Sequence, residues 1–354
     1  MLRCRITKAI RSIAGPVARG TLSLASMTNK ENALRIIRFD HPERVVCGIP
    51  SYWVAYRGCN HESIDNFGGD NDVPPGTVWT DIWGTLWRKE LPGIMGFPQR
   101  HALPNLAADL RSYRWPDAND ERICGPVYAA AKEFPRDDRF LVGSHRQPLW
   151  ELACTLAGME NLMMALYAEP EAARELFHRV MDFQLGIAQH YLKVGVEMVF
   201  FTDDLGTQCG PLVGPKVMED FLVPEYRRLF DLYKSRDVLI NFHSCGRIDS
   251  VIDTLMELGI SILNPVQVSA NDLDLVRRKT AGRVALAGGI NNVTIINGPP
   301  HAIVEEVRRR LWQLGRDGGY FCGADQHMVF PKGHLEAMMS AVETFGRYPI
   351  ERFI

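Results

Sequence analysis

No apolar run in this 354-residue sequence approaches the ~18 residues that a membrane-spanning helix needs. Nor is there a surplus of charge of either sign. Forty Lys and Arg stand against 42 Asp and Glu, with a pI near 6.6, so the electrostatic footprint of a nucleic-acid or anionic-membrane binder is missing and a small-molecule partner is expected. Dense, regular cysteine spacing is missing too. The eight cysteines fall at 4, 47, 59, 124, 154, 209, 245 and 322, a scatter unlike a secreted disulfide scaffold, and they read as mostly reduced thiols of a cytoplasmic protein. No GxGxxG follows an early strand, which argues against an open dinucleotide-binding sheet. Internal repeats and low-complexity tracts are also lacking.

Residues 1–26 carry Arg3, Arg5, Lys8, Arg11 and Arg19 and no acid, with Leu2, Ile6, Ile10 and Ile13 at helical spacing. That pattern resembles a mitochondrial presequence. Because Met27 opens a stretch that itself reads as a domain start, the preferred reading is an N-terminal extension ahead of one domain over 27–354.

From residue 139 onward, short β-rich runs alternate with helical stretches, the pattern of βα units around a parallel sheet. The runs are FLVG (140–143), VEMVFF (196–201), VLINF (238–242), ISILN (260–264), RVALAGG (283–289) and GGYFCG (318–323). A strand near VVCGIP (45–50) and another between 80 and 130 bring the count to about eight, which predicts a single-domain (β/α)8 TIM barrel with its active site at the C-terminal rim of the strands. Residues 53–135, rich in Gly, Pro, Asn and Trp, read as a lid-like excursion.

Polar residues gather where these strands end. Asp203, Asp204 and Gln208 follow the second run, His243 and Cys245 the third, Gln267 the fourth, and Gly289 and Asn291 the fifth; the last delivers Cys322, Asp325 and His327. His243, Cys245 and Cys322 form a soft donor set suited to zinc, with three protein ligands leaving the fourth tetrahedral position open. The alternative is a polar turn plus an ordinary buried cysteine. Asp203 and Asp204 are adjacent and point to opposite sides of an extended strand end, so one is expected to be functional, as acid, base, His243 partner or substrate anchor; a helix N-cap is the competing role. Arg146 suits an anionic substrate or an acid of the rim. Trp79, Trp83 and Trp87 recur every four residues, which fits core packing or a lid over a flat ligand, and Trp83 is carried as a substrate-binding candidate.

Taken in order, ERVVCGIP, TDIWGTLW, GMENLMMALYAEPEAARELF, DDLGTQ with PLVGPKVMEDFLVPEYRRLF, NFHSCGRIDSVIDTLMELGISILNPVQ, and LAGGIN with GGYF resemble the uroporphyrinogen decarboxylase superfamily over nearly all of 27–350. HSCG followed by a helix and NPVQ is the most specific part. The resemblance implies a (β/α)8 barrel and one of two chemistries. Decarboxylases of the superfamily use an arginine-rich RQAGRY-type segment; the matching GIPSYWVAYRGCN has only Arg57, which argues against decarboxylation of a many-carboxylate tetrapyrrole. The other branch, methylcobamide-dependent methyltransferases, is similar in its HxC and distant-cysteine zinc ligands, at positions matching His243, Cys245 and Cys322.

That likeness implies bound zinc presenting a thiol acceptor such as coenzyme M, or a tetrahydrofolate-type acceptor as in O-demethylase relatives. The methyl group would sit on the cobalt of a separate corrinoid protein, since nothing in this chain looks like a corrinoid-binding module. YFCGADQHM departs from the PGCG-like turn of that branch, which makes Asp325 and His327 alternatives to Cys322. The expectation is therefore a zinc-dependent corrinoid-type methyltransferase, with Asp203 or Asp204 and Gln267 positioning substrate. A uroporphyrinogen decarboxylase and a non-catalytic corrinoid or tetrapyrrole carrier are the alternatives.

Overall fold

Seven strands join in one parallel sheet: β1 (Ser51–Ala55), β5 (Phe140–Arg146), β6 (Met198–Thr202), β7 (Leu239–His243), β8 (Ile262–Val266), β9 (Ala285–Ile290) and β10 (Tyr320–Ala324), in that spatial order. Between β1 and β5 the chain makes a separate antiparallel sheet of β2 (Val78–Thr80), β3 (Leu86–Arg88) and β4 (Phe97–Arg100). The computed structural model describes residues 27–59, 61–63, 73–326 and 328–353. The expected extension over 1–26 and the candidate His327 lie outside them.

The parallel sheet curls. Ser51 to Ala55 pair with Phe140 to Ser144 of β5, while Val46 bridges Phe321 of β10, so residues 46–55 touch both edges of the sheet. Among the described residues the expected count of about eight strands is corrected to seven. The run at 45–50 gives one bridge and then breaks, because Gly48 sits at φ +80° and Pro50 has no N–H to offer a ladder. The strand expected between 80 and 130 is instead three short pieces that satisfy one another.

Side chains alternate across each strand. One set, including Leu141, Val199, Phe201, Ile240, Phe242, Leu263 and Leu286, packs into the helical layer. The other, Phe140, Val142, Met198, Ile262, Ala285, Ala287 and Phe321, forms a second core with Ala33, Ile36 and Ile37 of the first helix, Asn29–Arg38. Those three apolar positions recur at i, i+3 and i+4, and Thr28 caps the helix by accepting from the Glu31 N–H at 3.1 Å. Burying each isoleucine stabilises the helix on the sheet by roughly 1.5–3 kcal/mol. Phe140, Met198, Ile262 and Ala285 begin or nearly begin their strands, so the helix stoppers the N-terminal end of the sheet's concave interior. On the same face of the sheet Trp53 remains 49% exposed, and a Cβ on Gly323 would meet no atom within 4 Å.

The excursion packs its tryptophans inward. Trp87 stacks on His61 at 4.3 Å between centroids, and Trp83, 2% exposed, meets Phe183 edge-on at 4.7 Å. Trp83 is therefore packed as core against the helix Pro170–Val194. Among the described residues no helix is long and apolar enough to cross a membrane.

His145 faces the helical layer from β5. Its Nδ1 lies 2.7 Å from Gln184 Oε1, which can only accept, so Nε2 accepts from the Tyr233 hydroxyl at 2.5 Å. Burial lowers its pKa from 6.5 to about 4. The folded state thus keeps this imidazole neutral where the unfolded chain protonates it: its contribution is full above pH ~6.5 and is lost as pH falls toward 4. Comparing wild type with His145→Asn by urea unfolding, we expect the gap to be about 2 kcal/mol smaller at pH 5 than at pH 7.5.

Candidate metal-binding site

His243 ends β7 and points into the concave interior, because Ile240 and Phe242 face the helices. Its Nδ1 lies 2.8 Å from Oδ1 of Asn264 on β8. The amide oxygen accepts, so Nδ1 carries the proton and Nε2 presents a lone pair. That nitrogen is 3.4 Å from Cys245 Sγ and 3.8 Å from Asp204 Oδ1. Asp204, His243 and Cys245 offer three ligand atoms that all lie within 4.8 Å of one another. Tetrahedral bonds of about 2.0–2.3 Å would set donor atoms about 3.3–3.8 Å apart, so the two distances to Nε2 are those of ligands around one zinc-sized ion.

Electrostatics point the same way. Burial lowers the His243 pKa, with the Asp204 charge opposing and the Arg146 charge assisting, so the ring is the neutral form that metals bind. Burial, then the Asp204 charge, pushes the Cys245 thiol up to about 12. A cation between them would reverse that, since a coordinating thiol is deprotonated outright.

Two loops meet backbone to backbone to bring Asp204 beside Cys245. A Cβ on Gly246, at φ +82°, would fall 2.4 Å from the Gly206 carbonyl carbon, and one on Gly206 would fall 2.7 Å from the Cys245 oxygen. Only glycine fits either place. The closeness lets Leu205 N donate to Ser244 Oγ at 2.8 Å, Arg247 N to Thr207 O at 2.7 Å and Cys245 N to Asp204 Oδ1 at 2.8 Å.

Cys322 is not brought to this cluster. Phe321 faces the interior, so alternation turns its neighbour outward; Cys322 is fully buried in the helical layer beside Tyr320, and burial raises its pKa. The third potential ligand atom beside His243 and Cys245 belongs to Asp204.

Asp203 is fully buried and its carboxylate is fully engaged. Oδ2 accepts from Trp150 N at 2.8 Å and the Tyr226 hydroxyl at 2.6 Å, and Oδ1 accepts from Glu151 N at 2.8 Å, which anchors the start of helix Trp150–Ala157. Other expected substrate contacts are likewise occupied. Gln267 Oε1 accepts from Gly246 N at 2.8 Å, pinning the Cys245 loop. Asn291 caps helix Asn292–Asn297 through Val293 N at 2.8 Å. Asp325 accepts from Val268 N and Asn292 N, both at 3.1 Å, tying the loops after β8, β9 and β10 together. A Cβ on Gly289 would press on Leu314 and Tyr320, so Gly289 faces the helices. Gln208 is exposed on the turn beyond Gly206.

Arg146 ends β5 on the interior face, aligned with Thr202 and through it with His243. Sequence reasoning missed Glu151. It takes Gln147 Nε2 at 2.7 Å and Asp204 N at 3.1 Å, and burial, with the Asp203 and Asp204 charges behind it, lifts its carboxyl to about 8. In WELAC it looks like any acid in a first helical turn, and no spacing marks it out.

The uroporphyrinogen decarboxylase (URO-D) family profile matches residues 94–348. A uroporphyrinogen decarboxylase from Ralstonia pickettii is 26% identical over 205 residues, 55% of this chain and 52% of its own. A methylated-thiol–coenzyme M methyltransferase from Methanosarcina mazei is 22% identical over 251 residues, 68% of this chain and 63% of its own. Both matches span less than two thirds of the relative. A solved structure, a methyltransferase from Methanosarcina mazei, shares the fold over 90% of this chain and 99% of its own, with TM-score 0.67 at 16% identity.

Proposed function

Since this chain belongs to the uroporphyrinogen decarboxylase family, we propose that it is a zinc-dependent methyltransferase of that family, passing a methyl group between a corrinoid on a separate protein and a small thiol or tetrahydrofolate-type acceptor. The observation that carries the reading is the convergence of His243 Nε2 with Cys245 Sγ at 3.4 Å and Asp204 Oδ1 at 3.8 Å. Zinc held there supplies Lewis-acid charge that keeps a substrate thiol ionised at neutral pH, where a free thiol with pKa about 8.5 is mostly protonated.

The chain's own residues do the rest. Asn264 fixes the His243 tautomer, as the partners behind metal-binding histidines do. Gln267 and Asp325 hold the loops, and Glu151 holds the Asp204 backbone. Asp204 keeps the ligand charge that two thiolates and an imidazole would have, since a carboxylate replaces one thiolate, but it is a harder donor. Against decarboxylation of a polycarboxylate, the inward-facing strand positions among the described residues carry one guanidinium, Arg146, where many carboxylates call for several.

Metal analysis tests the reading together with methyl transfer from methylcobalamin to a small thiol. We expect about one zinc per chain in the wild type and in Cys322→Ala, and little in His243→Ala or Cys245→Ala. Less than about half an equivalent in the wild type, or loss of zinc on Cys322→Ala, overturns it.

A further inference from the structure

One polar atom in the interior beneath His243 has no hydrogen-bond partner among the described residues. Asn241 lies two residues earlier on β7 and on the same face, aligned with Phe200 and Ile262 on the flanking strands. It is 5% exposed, and its Oδ1 is buried without a hydrogen bond. Buried amide oxygens are almost always paired, so an orphan needs a cause. The metal cluster is not that cause, because the neighbouring amide, Asn264, already serves His243.

Open space adjoins the same interior. Gly323 has nothing within 4 Å where a Cβ would stand, and Trp53, half exposed, meets Phe200 edge-on at 5.3 Å. Phe200 meets the His243 ring at 5.9 Å. An apolar wall thus runs from the interior to the cluster, interrupted by one unpaired acceptor.

We propose that Asn241 determines substrate specificity: its Oδ1 receives a hydrogen bond from the far end of an acceptor whose reacting sulfur sits at the Asp204, His243 and Cys245 cluster. The proposal rests on the methyl-transfer reading above. Two residues along a strand span about 6.6 Å, so the donating group lies about three to five bonds from the sulfur. A short aliphatic thiol ending in a hydroxyl or amine fits. A sulfonate terminus, which only accepts, sets its oxygens against the amide oxygen.

Zinc-loaded protein titrated calorimetrically with 3-mercaptopropan-1-ol and with butane-1-thiol, its equal in length, tests this directly. We expect the hydroxyl compound to bind about tenfold tighter. In Asn241→Leu, at unchanged zinc content, that preference should fall within about twofold. Asn241→Asp should favour 3-aminopropane-1-thiol over the alcohol, and it keeps the test alive should the leucine variant not fold. Equal binding of the two thiols by the wild type overturns the inference and leaves the metal site standing. So does a preference for 2-mercaptoethanesulfonate that survives Asn241→Leu. A wild type without zinc overturns the methyl-transfer reading and this inference with it.

Discussion

Asp203→Ala should lower the unfolding free energy by about 3 kcal/mol at pH 7, measured by urea denaturation. Three donors, the Trp150 and Glu151 amides and the Tyr226 hydroxyl, converge on this carboxylate in a fully buried position. Each loses its acceptor in the variant, at about 1–3 kcal/mol apiece. Part of that returns, because burial lifts the Asp203 carboxyl to about 6 and ionising it in the folded protein therefore costs energy. A raised acid contributes most when it is protonated, fully below its unfolded value near 3.8, and loses that contribution as pH rises through about 6. The deficit of the variant should accordingly be larger at pH 5 than at pH 7.5. The opposite trend would show that Asp203 stabilises the fold mainly as an anion.

Asp204→Ala, one residue along, should behave differently. Its side chain is 38% exposed and Oδ1 accepts a bond from Cys245 N, so the stability cost should stay near 1 kcal/mol. Zinc affinity should instead fall on the order of 100-fold or more, read by competition with a chromophoric chelator, and methyl transfer should fall with it. Asp204→Cys should recover binding, because a thiolate keeps the charge and suits zinc. Undiminished zinc affinity in Asp204→Ala would remove the carboxylate from the ligand set.

The residues at the strand ends show what could be read from the chain alone. The apolar runs that became β5 to β10 are long enough for their pattern to declare itself, and HSC stands where β7 gives out. Cys322 misled because the run GGYFCG looks finished at the cysteine, whereas β10 continues to Ala324 and leaves Cys322 in mid-strand on the outward face. Counting alternation from Phe321 would have turned it away. Asp204 was visible, but its meeting with Cys245 depends on Gly206 and Gly246 touching, a contact between segments 40 residues apart that no local pattern encodes. The antiparallel β2, β3 and β4 escaped notice since strands of three or four residues hold too few alternations to outweigh the prolines and glycines around them.

Ala33, Ile36 and Ile37 cork one end of the curled sheet as a stopper closes a flask. On the methyl-transfer reading proposed above, a small thiol would have to be seated before a bulkier visitor stood in the doorway, and its methylated form would depart only once that visitor stepped aside.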